Sequence, residues 1–144
     1  MKFEKMRHRI IFLRPTDDFV NALGENTVAW QVFSPATGKT AEIYLQADSN
    51  NNLVFANGTP TAEELAPFKI WAAVAPQTGR EYTESQKLRA ETTYNINTRY
   101  FPGITSEMKI LHDSRAFDII SVLDIECRRE ELKIIAAERE YNGS

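Results

Sequence analysis

The chain has 144 residues, 42% of them hydrophobic and 26% charged, the ordinary composition of a soluble globular protein with one main core. No apolar run approaches the roughly 20 residues of a membrane-spanning helix, and no apolar stretch follows the basic start, so we expect neither a membrane span nor a signal peptide. The net charge of −3 argues against a protein that grips nucleic acid through its phosphates. The single Cys127 can form no internal disulfide, which favours synthesis in a reducing cytoplasm.

The first third of the chain predicts strands separated by polar turns. Met6–Leu13 is predicted to be the first strand, stopped by Arg14-Pro15 because proline cannot donate to a sheet. Thr16-Asp17-Asp18 then has the composition of a turn. Apolar runs separated by turn residues at Pro35–Gly38 and Asp48–Asn52 predict a β-meander over about residues 27–57.

The central third predicts two short helices around one strand. Thr61 with Glu64 forms a capping-box pattern that predicts a helical turn over Ala62–Ala66, ended by proline. The run Phe68–Ala75 is predicted to be a strand. A second capping pattern predicts a helix over Glu84–Glu91, and its almost wholly polar composition indicates an exposed position.

The last third carries the clearest β pattern. Thr93–Tyr100 alternates with a period of two, and Met108–His112 and Phe117–Ile125 are predicted to pair across a tight hairpin loop at Asp113-Ser114-Arg115. Glu131–Arg139 has helical propensity, but we predict a strand because a β-barrel with free edges must be closed or covered. The fold class is therefore mainly β, a small barrel or sandwich with a short exposed helix and an inserted meander.

No motif of the sequence carries catalytic, cofactor or metal chemistry. Gly38-Lys39-Thr40 ends like a phosphate-binding loop, but position 33, where that loop needs a glycine, is Phe33. Asp48–Asn52 copies the start of a calcium loop but lacks the glycine that must follow. His8 and His112 have no cysteine or paired carboxylate at metal-ligand spacing. We therefore predict no enzyme, no catalytic residue, no cofactor and no metal site.

Aromatic and arginine side chains are the usual anchors of protein interfaces. For the aromatic residues of the alternating strands we favour a place in the core, and a binding role stays open. Two arginines lie off the predicted core face. We predict that Arg99 and Arg115 lie at an interface with another subunit or partner.

The order of several segments resembles the phage head–tail joining, or head closure, family. Each segment is short, but together they follow the family's sequence of blocks over about residues 6–14 and 68–138. The segments that carry the resemblance are Met6–Ile10, Ile70–Val74 with Pro76, Gly79-Arg80-Glu81 with Gln86, Glu91–Thr93, Ile96, Arg99-Tyr100, Gly103-Ile104, Met108–Ile110, Phe117–Ile119, Val122–Asp124, Arg128 and Leu132–Ile134 with Glu138.

The resemblance implies a structural protein of the virion neck, made in the host bacterial cytoplasm. It implies a homo-oligomeric, dodecameric ring that binds the portal and adaptor on the head side and a tail terminator or tail tube protein on the tail side. Double-stranded DNA would pass through this ring without sequence-specific binding, and no membrane is involved. It also implies that a loop lines the channel and gates it: Thr78, Gly79, Arg80, Glu81 and Tyr82.

Two departures from the family and two other functions stay open. The meander at 27–57 is longer than the connection usual in the family, so we predict one head-closure domain over 1–144 whose core, 1–14 and 68–139, carries an insertion. The hairpin before Phe117 lacks the usual glycine.

A tail terminator or tail completion ring protein is the first alternative function, and an OB-like nucleic-acid-binding module, which needs a basic groove, is the second.

Overall fold

A computed structural model describes residues 6–20, 23–47, 53–56, 58–76, 93–112, 115–124 and 130–138 of the chain. These residues form nine strands and one short α-helix. In chain order they are β1 His8–Val20, β2 Asn26–Phe33, β3 Thr40–Ala47, β4 Leu53–Phe55, α1 Ala62–Leu65, β5 Ile70–Pro76, β6 Thr93–Arg99, β7 Lys109–His112, β8 Arg115–Asp124 and β9 Glu131–Glu138.

Six of the strands close into an antiparallel β-barrel. Their order is β1-β5-β6-β9-β8-β7, and β7 returns to β1 through the register Ile11 to Leu111. The predicted strand at the C-terminal end is confirmed, because β9 pairs along its length with both β6 and β8. Of the two predicted architectures the structure has the barrel, and closure leaves these six strands without a free edge in the sheet.

Strand β1 is longer than predicted. It continues through Pro15 to Val20, and residues Phe12 to Val20 pair with β2, while pairing with β7 ends at Leu13. Pro15 therefore has a neighbouring strand on one side only, and a proline is tolerated there because its missing N–H is not needed by a second ladder. The turn predicted at Thr16–Asp18 is also wrong, since the register shifts between Thr16 and Phe19 and one extra residue of β1 forms a bulge within the strand.

The meander of β2, β3 and β4 is confirmed, and it packs on the outside of the barrel. Successive residues of a strand point to opposite faces, so Ile10 and Phe12 enter the barrel core while Ile11 and Leu13 face outward. The outward pair is buried in a second apolar cluster with Val32, Leu45 and Leu53 of the meander and Ala116 of β8. The four-residue run Ile10–Leu13 is thus buried on both faces of one strand.

Local signals for helix and turn are confirmed with small shifts. Thr61 and Glu64 form a full capping box at α1, and a 3₁₀ turn over Ala66–Phe68 passes through Pro67, so the following strand begins two residues later than predicted. Gly38 closes the β2–β3 turn with a φ of +76°, a conformation that favours glycine. The predicted turn at Asp48–Asn52 and the predicted helix at Glu84–Glu91 lie outside the described residues.

Candidate functional site

One end of the barrel is lined with polar side chains that face inward. Strand β5 ends here at Pro76 and β6 begins here at Thr93, so the chain segment 77–92 connects to the barrel at this end. Each inward polar residue lies two positions along its strand from a residue of the barrel core, and hence on the same face. These side chains, which we call the polar end, are His8, Tyr94, His112, Arg115 and Glu138.

An ion pair and a tyrosine hydroxyl join three strands at the polar end. Arg115 of β8 donates from Nε to Glu138 Oε2 of β9 at 2.8 Å and from Nη2 to Glu138 Oε1 at 2.9 Å. Tyr94 of β6 donates its hydroxyl to Glu138 Oε1 at 3.2 Å and accepts a hydrogen bond from Arg115 Nη2. A bidentate arginine–carboxylate pair is strongly directional, so these contacts fix the register of β8, β9 and β6 where the strands end.

The same three groups shift one another's pKa values. The hydrogen bond from Arg115 lowers the pKa of Glu138, and the arginine's positive charge adds to the effect. Burial raises the pKa of Tyr94, and the negative charge of Glu138 raises it further. At neutral pH the cluster therefore holds one cation, one anion and one neutral hydroxyl.

The two histidines also meet at the polar end. His8 of β1 and His112 of β7 contact each other edge to face, with ring centroids 4.9 Å apart. His112 is buried and His8 is exposed. Within the described residues, however, no group of three histidine, cysteine or acidic side chains is close enough to hold a metal ion.

The structure separates the two arginines that were predicted together as interface residues. Arg99 is exposed at the end of β6, at the opposite end of the barrel. Arg115, predicted to lie in a loop off the core face, is instead the first residue of β8 and its guanidinium is engaged within the chain. The predicted channel residues Thr78–Tyr82 lie outside the described residues.

Sequence reasoning missed the polar end because its members are far apart in the chain. Tyr94 was assigned to the core by alternation, and Glu138 was not singled out as a site residue. The available signal was positional: Glu138 lies on the inward side of β9, in phase with Ile134 and Ala136. An inward carboxylate at a strand end indicates a buried partner, because an unpaired charge there would be destabilising.

Several large apolar side chains lie on the outer surface. Trp71 of β5 is 50% exposed, and Ile120 and Leu123 of β8 are exposed to a similar degree. By contrast, Glu131, the first residue of β9, is buried and accepts a hydrogen bond from Asn97 at 2.8 Å. Among the described residues no helix has the length and apolarity to cross a membrane.

Comparison with known proteins gives one family and a shared fold. The family model described as "Phage head completion protein" matches residues 1–139. A chain in a structure titled "Virion of native gene transfer agent (GTA) particle" is 13% identical, with a TM-score of 0.51 over 92% of this chain and 94% of that one. Protein SF1141 from Shigella flexneri 2a is 18% identical, with a TM-score of 0.51 over 100% of both chains. The search of curated proteins found no match.

Proposed function

Because the chain belongs to the phage head completion protein family, we propose that it is a structural, non-enzymatic protein of the virion neck that closes the portal channel after DNA packaging and provides the surface on which the tail docks. The observation that carries this proposal is the family match over residues 1–139, nearly the whole chain. The closed barrel is consistent with it, since a rigid subunit with apolar side chains on its outer surface suits an assembly component.

We infer a homo-oligomeric, dodecameric ring as the working form. A closed heterologous ring requires contacts on two different sides of every subunit. The described residues offer exposed apolar side chains on two different parts of the surface: Ile120 and Leu123 lie on β8, and Val28 lies on the meander strand β2. The net charge of −3 per subunit suits a channel through which DNA passes without strong phosphate binding.

We also propose that the segment Thr78–Tyr82 lines the DNA channel and gates it. Residues Thr78–Tyr82 belong to the connection between β5 and β6, which is attached to the barrel at the polar end. We propose that this end faces the DNA channel. Deletion of Gln77–Tyr82 should then let packaged DNA escape before tail joining, as measured by the DNA content of tailless capsids, and full retention of DNA would rule out the channel assignment.

Removal of the whole protein tests the head-closure function. Capsids assembled without it should package DNA, lose it on purification and fail to join tails, whereas adding the purified protein back should restore both properties. DNA-filled capsids that join tails normally in its absence would refute the proposal. The docking partner separates closure from tail termination: binding to a purified portal–adaptor complex supports closure, and binding only to tail tubes supports a tail terminator or tail completion protein.

The meander has a structural role that supports one domain over residues 1–144. Its strands cover the outward face of β1, β7 and β8 through the second apolar cluster. We therefore propose that its β2–β3 turn contacts a neighbouring neck protein from a fixed position on the barrel wall, and that truncation at 27–57 would damage the fold as well as that contact.

A further inference from the structure

Two adjoining pockets lie beside the first residues of β5. The first has a volume of about 500 Å³ and the second about 320 Å³, and Lys69 lines both. Arg9 lines the second pocket, and its guanidinium lies 4.1 Å from the centroid of the Trp71 ring, which lines the first. The shared residue Lys69 and the contact between Arg9 and Trp71 therefore place the two pockets next to each other; we call them together the groove and each one a compartment.

Both compartments have apolar walls. The first is lined by Met6, Ile70 and Phe101 together with the half-exposed Trp71. The second lies where α1 meets the barrel and is lined by Ile11, Leu65 and Leu111, which belong to the second apolar cluster. Bulky apolar surface left in water at a concave site is where a partner's side chains gain the most on binding, and tryptophan is among the most frequent anchors.

Among the described residues, the charged side chains that line the groove are all positive. Arg9 and Lys69 stand between the compartments and Arg99 lines the first one, and no described aspartate or glutamate lines either pocket. Within the described part of the chain, neither Arg9 nor Lys69 forms an ion pair. This local positive charge contrasts with the net charge of −3 of the whole chain, so the groove complements a negatively charged partner.

We propose that this groove binds a segment of another virion protein in which a carboxylate stands between two bulky apolar side chains. One apolar side chain fills each compartment, and the carboxylate contacts Arg9 and Lys69 at the divide. The assignment rests on the proposed virion role only in one respect, since that role determines where we look for the partner. The groove itself consists of residues of this chain alone.

The lining favours a polypeptide over nucleic acid. Aliphatic side chains such as Ile11, Leu65 and Leu111 suit aliphatic or aromatic anchors. Three aromatic residues, Trp71, Phe101 and Phe55, also line the groove, but only Trp71 is exposed, whereas single-stranded nucleic acid needs several stacking aromatics along a basic track. Duplex DNA carries a negative charge about every 1.7 Å, and three cations around two separate apolar compartments do not follow such a repeat.

Photo-cross-linking in assembled particles tests the assignment. The photoreactive amino acid p-benzoylphenylalanine replaces Trp71 in one variant and, as a control, Leu123, which is equally exposed on the opposite wall of the barrel. After irradiation of purified particles, mass spectrometry identifies the attached segment. We expect position 71 to capture one segment of a different virion protein with an acidic residue between apolar ones, and position 123 not to capture it.

Charge variants test whether Arg9 and Lys69 contribute to binding of the partner. Arg9→Glu combined with Lys69→Glu should reduce the cross-linking yield at position 71 at least tenfold, while Lys133→Glu, a cation on β9, should leave it unchanged. Attachment to DNA, to a second copy of this chain or to its own residues 1–5 would overturn the assignment, as would no attachment at all. If the Trp71 variant is not incorporated, the photoreactive residue at Lys69, which lines both pockets, gives the same readout.

The failure of this inference is distinguishable from the failure of the proposed function. Particles that contain the protein in normal amount and close their heads, but yield no such cross-link, refute the groove assignment and leave head closure standing. Particles that never contain the unmodified protein refute the head-closure role itself.

Discussion

Substitution of Glu138 by glutamine tests whether the polar end holds the barrel closed. Glutamine keeps the size of the side chain and removes its charge, so Arg115 loses the carboxylate that accepts two of its hydrogen bonds. We expect the protein to fold with the same topology and a lower free energy of unfolding. Asp118→Asn is the matched control, because Asp118 accepts a hydrogen bond from Lys109 in a single-point ion pair between β7 and β8.

The size of the effect follows from exposure and geometry. Hydrogen bonds to charged groups contribute about 1.5–3 kcal/mol when well formed, and exposed ion pairs about 0–1 kcal/mol. The side chains of Arg115 and Glu138 are 35% and 25% exposed, between these limits. We therefore expect Glu138→Gln to lower the free energy of unfolding by about 1–2 kcal/mol. Asp118 is 46% exposed, so Asp118→Asn should lower it by less than about 1 kcal/mol.

The difference between wild type and Glu138→Gln should depend on pH. The pKa of Glu138 lies below its ordinary value of 4.5 in the folded protein, so its carboxylate stabilises the fold above that pH. This stabilisation is lost as the pH falls through the lowered pKa. Urea unfolding at pH 7, 5 and 3 measures it: we expect a constant difference from pH 7 to 5 and a smaller one at pH 3. Equal losses for both variants, or a difference that does not shrink in acid, would refute the assignment.

Three further predictions concern the cores and the turn. Phe12→Ala should lower the free energy of unfolding by about 3–5 kcal/mol in urea titrations, because Phe12 is fully buried in the barrel; a loss under 1 kcal/mol would contradict the described core. Gly38→Ala should lower it by about 1–2 kcal/mol because of the positive φ, and an unchanged midpoint would show that the turn differs. Deletion of residues 26–56 uncovers Ile11, Leu13 and Leu111, so the product should bind a hydrophobic dye and aggregate; a monomer that binds no dye would show that the meander is dispensable.

The strands of the barrel were predictable because their pattern is local. Thr93–Arg99 alternates, and the capping box at Thr61 forms from residues three positions apart, so each can be recognised without knowledge of the fold. Even β9, whose composition favours a helix, followed from the requirement that a barrel be closed. The family resemblance, carried by short segments in order, was confirmed by the match over residues 1–139.

The features that could not be predicted from the sequence depend on which strands pair with each other. A proline interrupts a strand when a neighbouring strand needs its N–H. At Pro15, β1 has a neighbouring strand on one side only, so the strand continues. The second apolar cluster was also missed, although the unbroken run Ile10–Leu13 indicates burial on two faces rather than one. Arg115, Tyr94 and Glu138 are 21 to 44 residues apart, and only the register of three strands brings them together.

The position of β1 governs the order in which the protein can fold during synthesis. Ile11 leaves the ribosome one hundred residues before its partner Leu111, and β9 is made later still. Strand β2, by contrast, is available soon after β1. The nascent chain can therefore build the hairpin β1–β2 early, but Ile10 and Phe12 remain uncovered until β8 and β9 have been made. Closure of the barrel has to wait for β9, and a chaperone that holds the hairpin β1–β2 should raise the yield of native subunits.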